Sequence, residues 1–548
     1  MVNAERDRVN AERDRVNAER DRANAERDGA NGVRATRVVI VGAGFGGIGM
    51  GVGLKRAGIE DFLILEEGAD VGGVWRDNTY PGCSCDVPAH LYSFSFAPYR
   101  STRRRYPGQQ HILAYLRRVA ADHGLVPHLR LRTPVAAATY REDRARWEVR
   151  TVAGEVIDAE FVVFAVGQLH RPWEPALPGR EVFAGKAFHT ARWDHRVDPA
   201  GREIAVIGTG SSAAQVVPEL AAVARRVTVY QRTPNWLLPK PCEQFGRVSR
   251  TLLHLPAAHR MYRGVLAQGA DLTLAPIMRR GWSARPAQWL ARAHLRHRVA
   301  DPDLRAKLTP RHPIGAKRIL FDNGYYRALT RDNVELVTEP IARLTADGVC
   351  TTDGVHRRAD VLVYATGFRA AEFLAPIVVR GRGGQVLHER WRDGAEAYLG
   401  LAVPGFPNAF LIAGPNTFNP AGSNPGMKEH QIEFVLECLR WRDEIGAPAI
   451  EVTPAAMEGY RRWLSGAIAE TVWPASASWY RHPSGRVTNP WPATARSFAR
   501  MLKQAPAHAF RRVDPPPAPP RRPSACDRAR VARILSARYS SHAPAPRA

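Results

Sequence analysis

Cysteine is scarce in this chain, six among 548 residues, and no two cysteines stand in a C-x-x-C spacing. Cys83, Cys85, Cys242, Cys350, Cys438 and Cys526 are scattered, which argues against a disulfide-stapled fold and a cysteine-built metal site. A reduced, cytoplasmic protein without a metal is expected, with Cys83 and Cys85 as packing thiols rather than a redox dithiol. No apolar run reaches the roughly 18 residues that span a bilayer, so no membrane span is expected and the protein should be soluble. Lysine is also rare, 7 of the 78 basic residues, so the net charge of +25 rests on arginine. Residues 511–548 hold nine Arg against two Asp, and a basic tail of that kind accounts for part of the excess without any nucleic acid as partner.

Glycine, by contrast, recurs where it carries information. The run Val38-Val39-Ile40-Val41 leads into Gly42-Ala43-Gly44-Phe45-Gly46-Gly47, and Ile204-Ala205-Val206-Ile207 leads into Gly208-Thr209-Gly210-Ser211-Ser212-Ala213. Each is a buried-strand pattern followed by a tight turn, with backbone able to approach a pyrophosphate at a helix N-terminus. Glu66 stands 24 residues after Gly42, and Arg232 stands 24 residues after Gly208. A carboxylate there suits ribose hydroxyls, whereas a guanidinium suits a ribose 2′-phosphate. Two different dinucleotides are therefore expected, with NADPH at the second site.

The 45% apolar content supports two or three domains with sizeable cores. The reading is an α/β chain with two Rossmann-like dinucleotide-binding domains, the second interrupted by helices. Residues 1–35 hold a near-fourfold repeat of Val-Asn-Ala-Glu-Arg-Asp-Arg that offers only Val and Ala to bury, and are expected to be disordered. A flavin-type domain is expected over 36–180, with the buried-strand run Phe161–Gly167, and an NADPH domain over 181–367, closing on the run Asp360–Phe368. A helical insertion is expected at about 244–311 within the second. The first domain should resume over 368–504 through the buried run Ala409–Ala413 and a helix from Lys428 to about Asp443. The Pro/Arg-rich remainder, 505–548, is expected to be a disordered tail.

Between the two glycine sites lies Phe183-Ala184-Gly185-Lys186-Ala187-Phe188-His189-Thr190-Ala191-Arg192-Trp193-Asp194. This resembles the F-x-G-x-x-x-H-x-x-x-W-(P/D) fingerprint of type I Baeyer-Villiger monooxygenases, of the class B flavin monooxygenases. A second signature, G-x-W-x-x-x-x-Y-P-G-x-x-x-D, is met by Gly73, Trp75, Tyr80, Pro81, Gly82 and Asp86. The resemblance spans about Arg37 to Arg496. It implies FAD at Gly42, Gly44, Gly47, Glu66, Gly73, Trp75 and Asp86. It implies NADPH at Gly208, Gly210, Ser211, Ser212, Arg232, Thr233 and Lys317.

The reaction so implied is insertion of one oxygen atom from O2 beside a ketone carbonyl, giving an ester or lactone by way of a C4a-peroxyflavin. Arg318 is implied as the catalytic cation and Asp86 as the group that orients and neutralises it. His189, Trp193 and Asp194 are implied as interdomain couplers. The loop Thr417–Pro425 departs from the Gly/His-containing loop of cyclic-ketone members, which leaves the ketone and the oligomeric state open. Three other readings stand beside this one. They are a flavin monooxygenase acting on soft amines or thioethers, a disulfide reductase lacking its dithiol, and a binding protein using the basic tail.

Overall fold

The computed structural model describes residues 34–516, except 101–102, 242, 477 and 505. The strand Arg34–Val41 lies at the heart of an eight-stranded sheet, parallel to Phe62–Leu65 on one side and to Val156–Phe164 on the other. Its neighbours cover both faces, so its inner residues, Val38 to Val41, are apolar without alternation. Val156–Phe164 pairs in turn with Arg146–Thr151 and with Ala409–Leu411, so a segment from beyond residue 400 completes the first sheet.

The second sheet has five strands, all parallel. Val334–Val337, Arg226–Tyr230, Glu203–Ile207, Val361–Tyr364 and Lys186–His189 follow one another across it. In both sheets a glycine turn leaves the carboxyl end of a central strand, which is where open α/β sheets bind their ligands.

Between the short strands Leu237–Leu238 and Leu320–Phe321 the chain turns helical. Helices Arg247–His254, Pro256–Gly269, Ala284–Arg298 and Pro302–Lys307 lie in this stretch. Pro256–Gly269 docks its inner face on the first domain, where Arg263 donates to the carbonyls of His90 and Ser93 at 2.9 and 2.8 Å. Among the described residues no helix is long and apolar enough to cross a membrane.

The expected boundary at 505 requires correction. Phe510–Val513 is a strand, antiparallel to Ala449–Val452, with Phe510 and Val513 buried in two different cores. The alternation Phe-Arg-Arg-Val hides it in an Arg-rich context, because Arg511 turns back to Glu451, a carboxylate only 2% exposed that Arg382 also reaches. The first strand likewise starts two residues before the expected 36. The repeat over residues 2–29 and the tail beyond 516 lie outside the described residues.

Under the insertion His90 is fully buried, and neither ring nitrogen has a hydrogen-bond partner. His259 lies 4.9 Å away centroid to centroid, with Phe245 and Tyr262 edge-on and Arg105 near enough to add repulsion. Burial first, then His259 and Arg105, depress the His90 pKa to about 4. An unfolded histidine titrates near 6.5, so the unfolded state takes up this proton first. Stability should hold above pH 6.5 and fall by up to about 3 kcal/mol between pH 6.5 and 4 from this residue. Melting curves across that window should flatten in a His90→Phe variant, and an unchanged slope would exclude His90 as the cause.

Candidate functional site

The first glycine turn is built around Glu66. Its carboxylate, 4% exposed, accepts from the backbone N–H of Ala43 at 2.7 Å and of Gly68 at 2.8 Å, and pairs with Arg76. The sequence motif reads Glu66 as a ribose ligand; in the fold its carboxylate locks the turn. Gly47 has no room for a side chain, since a Cβ would lie 1.8 Å from the Gly42 carbonyl oxygen. Helix Phe45–Arg56 begins at Gly44 with no side-chain cap, leaving its first N–H groups free to face an anion. Gly73 lies over Gly44, where a Cβ would come within 3.3 Å of the Gly44 Cα, so the two glycines keep the cradle open. Trp75 follows, its indole N–H donating to the Tyr92 hydroxyl at 3.2 Å.

The second turn repeats the design. Helix Ser211–Val223 starts at Gly210, again uncapped, and nothing lies within 4 Å of where a Gly210 Cβ would be. Ser211 and Ser212 open the helix. Lys317 arrives from 84 residues further on to donate to the Thr233 hydroxyl, and Arg232 is close enough to repel it. Burial and then Arg232 lower the Lys317 pKa. Two cations and a hydroxyl thus gather beside an open helix end with no carboxylate in ion-pair contact with either cation among the described residues, which fits a dinucleotide bearing an extra phosphate.

The segment Thr79–Asp86 bridges the two domains. Tyr80 donates to the Gln215 side chain at 2.9 Å, Gln215 donates to the Ser84 carbonyl at 2.9 Å, and Thr79 meets His195 at 2.8 Å. Gly82 rests on the same helix, where a Cβ would lie 2.5 Å from the Gln215 carbonyl oxygen. Gln215 had no place in any sequence motif, and only its contact across domains reveals it. Cys83 and Cys85 are unpaired, and burial pushes the Cys83 thiol up to about 12 and that of Cys85 higher still. Neither is a poised thiolate, which leaves a dithiol reductase without its chemistry.

At the end of this segment Asp86 receives Arg318 in a fork, Nη2 to Oδ1 at 2.6 Å and Nε to Oδ2 at 3.2 Å. Burial opposes the guanidinium charge, but the Asp86 carboxylate outweighs it and raises the Arg318 pKa above its ordinary value. The loop carrying Arg318 is tied down by Trp473, whose indole donates to the Gly315 carbonyl at 3.0 Å. The Phe418 ring stands 5.6 Å from the Arg318 guanidinium, and the buried Tyr480 hydroxyl, without a hydrogen-bond partner, feels both charges of the pair. Phe418, Trp473 and Tyr480 come from loops with no sequence periodicity, which is why only the fold brings them to the site. Lys428, in the second turn of helix Asn424–Glu444, has its pKa lowered to about 8 by burial.

His189 uses both ring nitrogens, Nε2 on the Gly367 carbonyl at 2.9 Å and Nδ1 accepting from Ala191 N–H at 3.0 Å. Burial lowers its pKa, so it stands neutral and fully engaged. Trp193 packs edge-on against Phe188 at 5.0 Å, and Asp194 closes a turn on Arg196. Among the described residues no cluster of His, Cys, Asp or Glu could hold a metal.

Residues 39–243 match the family described as pyridine nucleotide-disulphide oxidoreductase. A Baeyer-Villiger monooxygenase of Streptomyces coelicolor is 40% identical over 486 residues, covering 88% of this chain and 93% of that protein. The solved structure of an oxidized steroid monooxygenase bound to NADP is 31% identical with a TM-score of 0.78, over 88% of this chain and all of that one. OTEMO, solved in complex with FAD and NADP, is 28% identical with a TM-score of 0.78, over 87% of this chain and 99% of its own. With both glycine cradles, the Arg318–Asp86 fork and this extent of identity, the chain belongs to the Baeyer-Villiger monooxygenases.

Proposed function

We propose that the protein uses FAD, NADPH and O2 to insert one oxygen atom beside the carbonyl of a small-molecule ketone, yielding an ester or lactone. The observation that carries this reading is the Arg318–Asp86 fork, a fixed cation set where two nucleotide cradles converge through the Thr79–Asp86 bridge. The chemistry supplied by bound FAD is the two-electron activation of O2, with NADPH as hydride donor. The remaining tasks fall to the chain's own groups.

Glu66, Gly42, Gly44, Gly47, Gly73 and Trp75 hold the FAD cradle. Gly208, Gly210, Ser211, Ser212, Arg232, Thr233 and Lys317 hold NADPH by its phosphates. Arg318 keeps its charge at any working pH, and with Nη2 and Nε bound to Asp86 its Nη1 remains to donate to oxygen that gains negative charge during reaction. Asp86 fixes the plane of that fork and balances its charge. The buried Phe418 ring packs beside the guanidinium and, with the buried Tyr480, shields that side of it from water.

His189 is a positioning residue. Its Nε2 bond to the Gly367 carbonyl ties the fingerprint segment to the Thr366–Phe368 crossing, its Nδ1 bond to Ala191 N–H fixes the ring within the segment, and Trp193 and Asp194 brace the same segment. A cytoplasmic location accords with the four described cysteines being free.

The test supplies purified protein with NADPH, heavy-isotope O2 and a mixture of linear, cyclic and aryl ketones plus one thioether, followed by mass spectrometry. An ester or lactone carrying one heavy oxygen is expected. Sulfoxide as the sole oxygenated product would move the assignment to oxygenation of soft nucleophiles, and hydrogen peroxide alone would overturn it for these ketones.

A further inference from the structure

The insertion is unlike the rest of the molecule in both charge and exposure. Between residues 244 and 300 it holds ten Arg and a single acid, Asp271. Asp271 is already engaged, accepting from the backbone N–H groups of Ala495 and Arg496. Nine large apolar side chains of this stretch stand exposed, from Val248 to Leu290, whereas the described chain elsewhere shows them scattered singly.

The exposed residues follow helical spacing. On Arg247–His254 and the turn after it, Val248, Leu252 and Leu255 recur at i, i+4 and i+7, with exposures of 75, 52 and 56%. On the next helix and its continuation, Met261, Val265 and Leu272 are 70, 62 and 66% exposed. That helix has two faces. His259 and Arg263 turn inward against His90 and Ser93, and Met261 and Val265 lie on the opposite side. Nothing in the fold lies within 4 Å of where a Gly264 Cβ would be. Arg247, Arg250 and Arg260, on the same two helices, have no carboxylate within ion-pair distance among the described residues.

Exposed apolar residues on helices edged by unpaired arginine suit one kind of surface, where hydrocarbon lies beneath negative charge. A second copy of the chain fits less well, since its own insertion would bring a like-charged surface opposite these arginines. We propose that the helices Arg247–His254 and Pro256–Gly269 dock this enzyme on an anionic lipid surface. Val248, Leu252, Leu255, Met261, Val265 and Leu272 enter the headgroup boundary, and Arg247 and Arg260, each about 100° round the helix from that face, meet the phosphates. Docking of this type is peripheral and salt-sensitive.

The full-length, FAD-loaded protein would be floated with vesicles of phosphatidylcholine alone and of phosphatidylcholine with about one-third phosphatidylglycerol. Flotation with the anionic vesicles at low salt is expected, weakened by high salt and at least tenfold weaker on phosphatidylcholine alone. A Met261→Ser/Val265→Ser/Leu272→Ser variant, whose replaced side chains face solvent, should keep its melting temperature and lose binding at least tenfold. No flotation of the parent protein would overturn the proposal. Equal binding by the triple variant would also overturn it, placing the attraction in charge elsewhere on the chain. A dimer in sedimentation that the triple variant dissociates, without vesicle binding by either, would assign the face to a second copy.

Discussion

Replacing Arg318 by Ala should lower ester formation by roughly 10²- to 10³-fold, the range for loss of one preorganised donor to developing oxyanion charge. NADPH should still bleach the flavin absorbance at a rate close to the parent's, because the Arg318 side chain is bound to Asp86 and makes no hydrogen bond to Arg232, Thr233 or the neighbouring Lys317. The two readings separate cleanly, stopped-flow absorbance for reduction and product mass spectrometry for oxygenation. The substitution also leaves Asp86, whose side chain is 14% exposed, as an uncompensated carboxylate. The pair is part-buried, so breaking it should cost less than the ~3–5 kcal/mol of a fully buried one, and a lowered melting temperature is expected alongside. The double variant Arg318→Ala/Asp86→Ala removes that burden and should regain stability without regaining ester. Arg318→Lys keeps a charge but cannot reproduce the fork from Nη2 and Nε, and should stay well below the parent. Ester at the parent rate from Arg318→Ala would remove the residue from the reaction.

The parts of this arrangement that could be read from sequence are those written locally. The glycine turns are strand, turn and helix within a dozen residues, and Glu66 and Arg232, the positions read as selective, each stand 24 residues after the first glycine of their turn. The break into helices after Gln244 was legible from the change of period and from arginine replacing β-branched residues. What could not be read depends on contacts between distant segments. Gln215 looks like any helical glutamine until Tyr80 and Ser84 meet it, 135 and 131 residues away. The strand Phe510–Val513 sits among Arg and Pro and is recognisable only beside Glu451. His90, in a polar-looking stretch, is buried because the insertion folds down over it. Lys317 and Arg232 were paired by family likeness, whereas the contact that brings Lys317 onto Thr233, next to Arg232, comes from the short strands Leu237–Leu238 and Leu320–Phe321 lying side by side.

That last contact yields the second large effect. Arg232→Ala and Lys317→Ala should each cut kcat/KM for NADPH by about 10- to 100-fold, the loss of one charge-assisted contact of about 1.5–3 kcal/mol, and leave kcat/KM for NADH nearly unchanged. In the free protein the two cations repel, and burial already lowers the Lys317 pKa, so the pair is costly until a dianion arrives. Removing Arg232 relieves that repulsion, and the Lys317 pKa should rise toward its ordinary value in the Arg232→Ala variant. The double variant should therefore lose more than the product of the single losses, because each single variant leaves the other cation better able to bind the phosphate and the double variant has neither. Steady-state kinetics with both nucleotides, across the single and double variants, measures the coupling directly. A phosphate of this kind gains its second charge near pH 6, so the preference for NADPH should narrow as pH falls through that value in the parent and change less in the double variant. Equal loss with NADH and NADPH on replacing Arg232 would mean that it serves the fold around Thr233 rather than the 2′-phosphate.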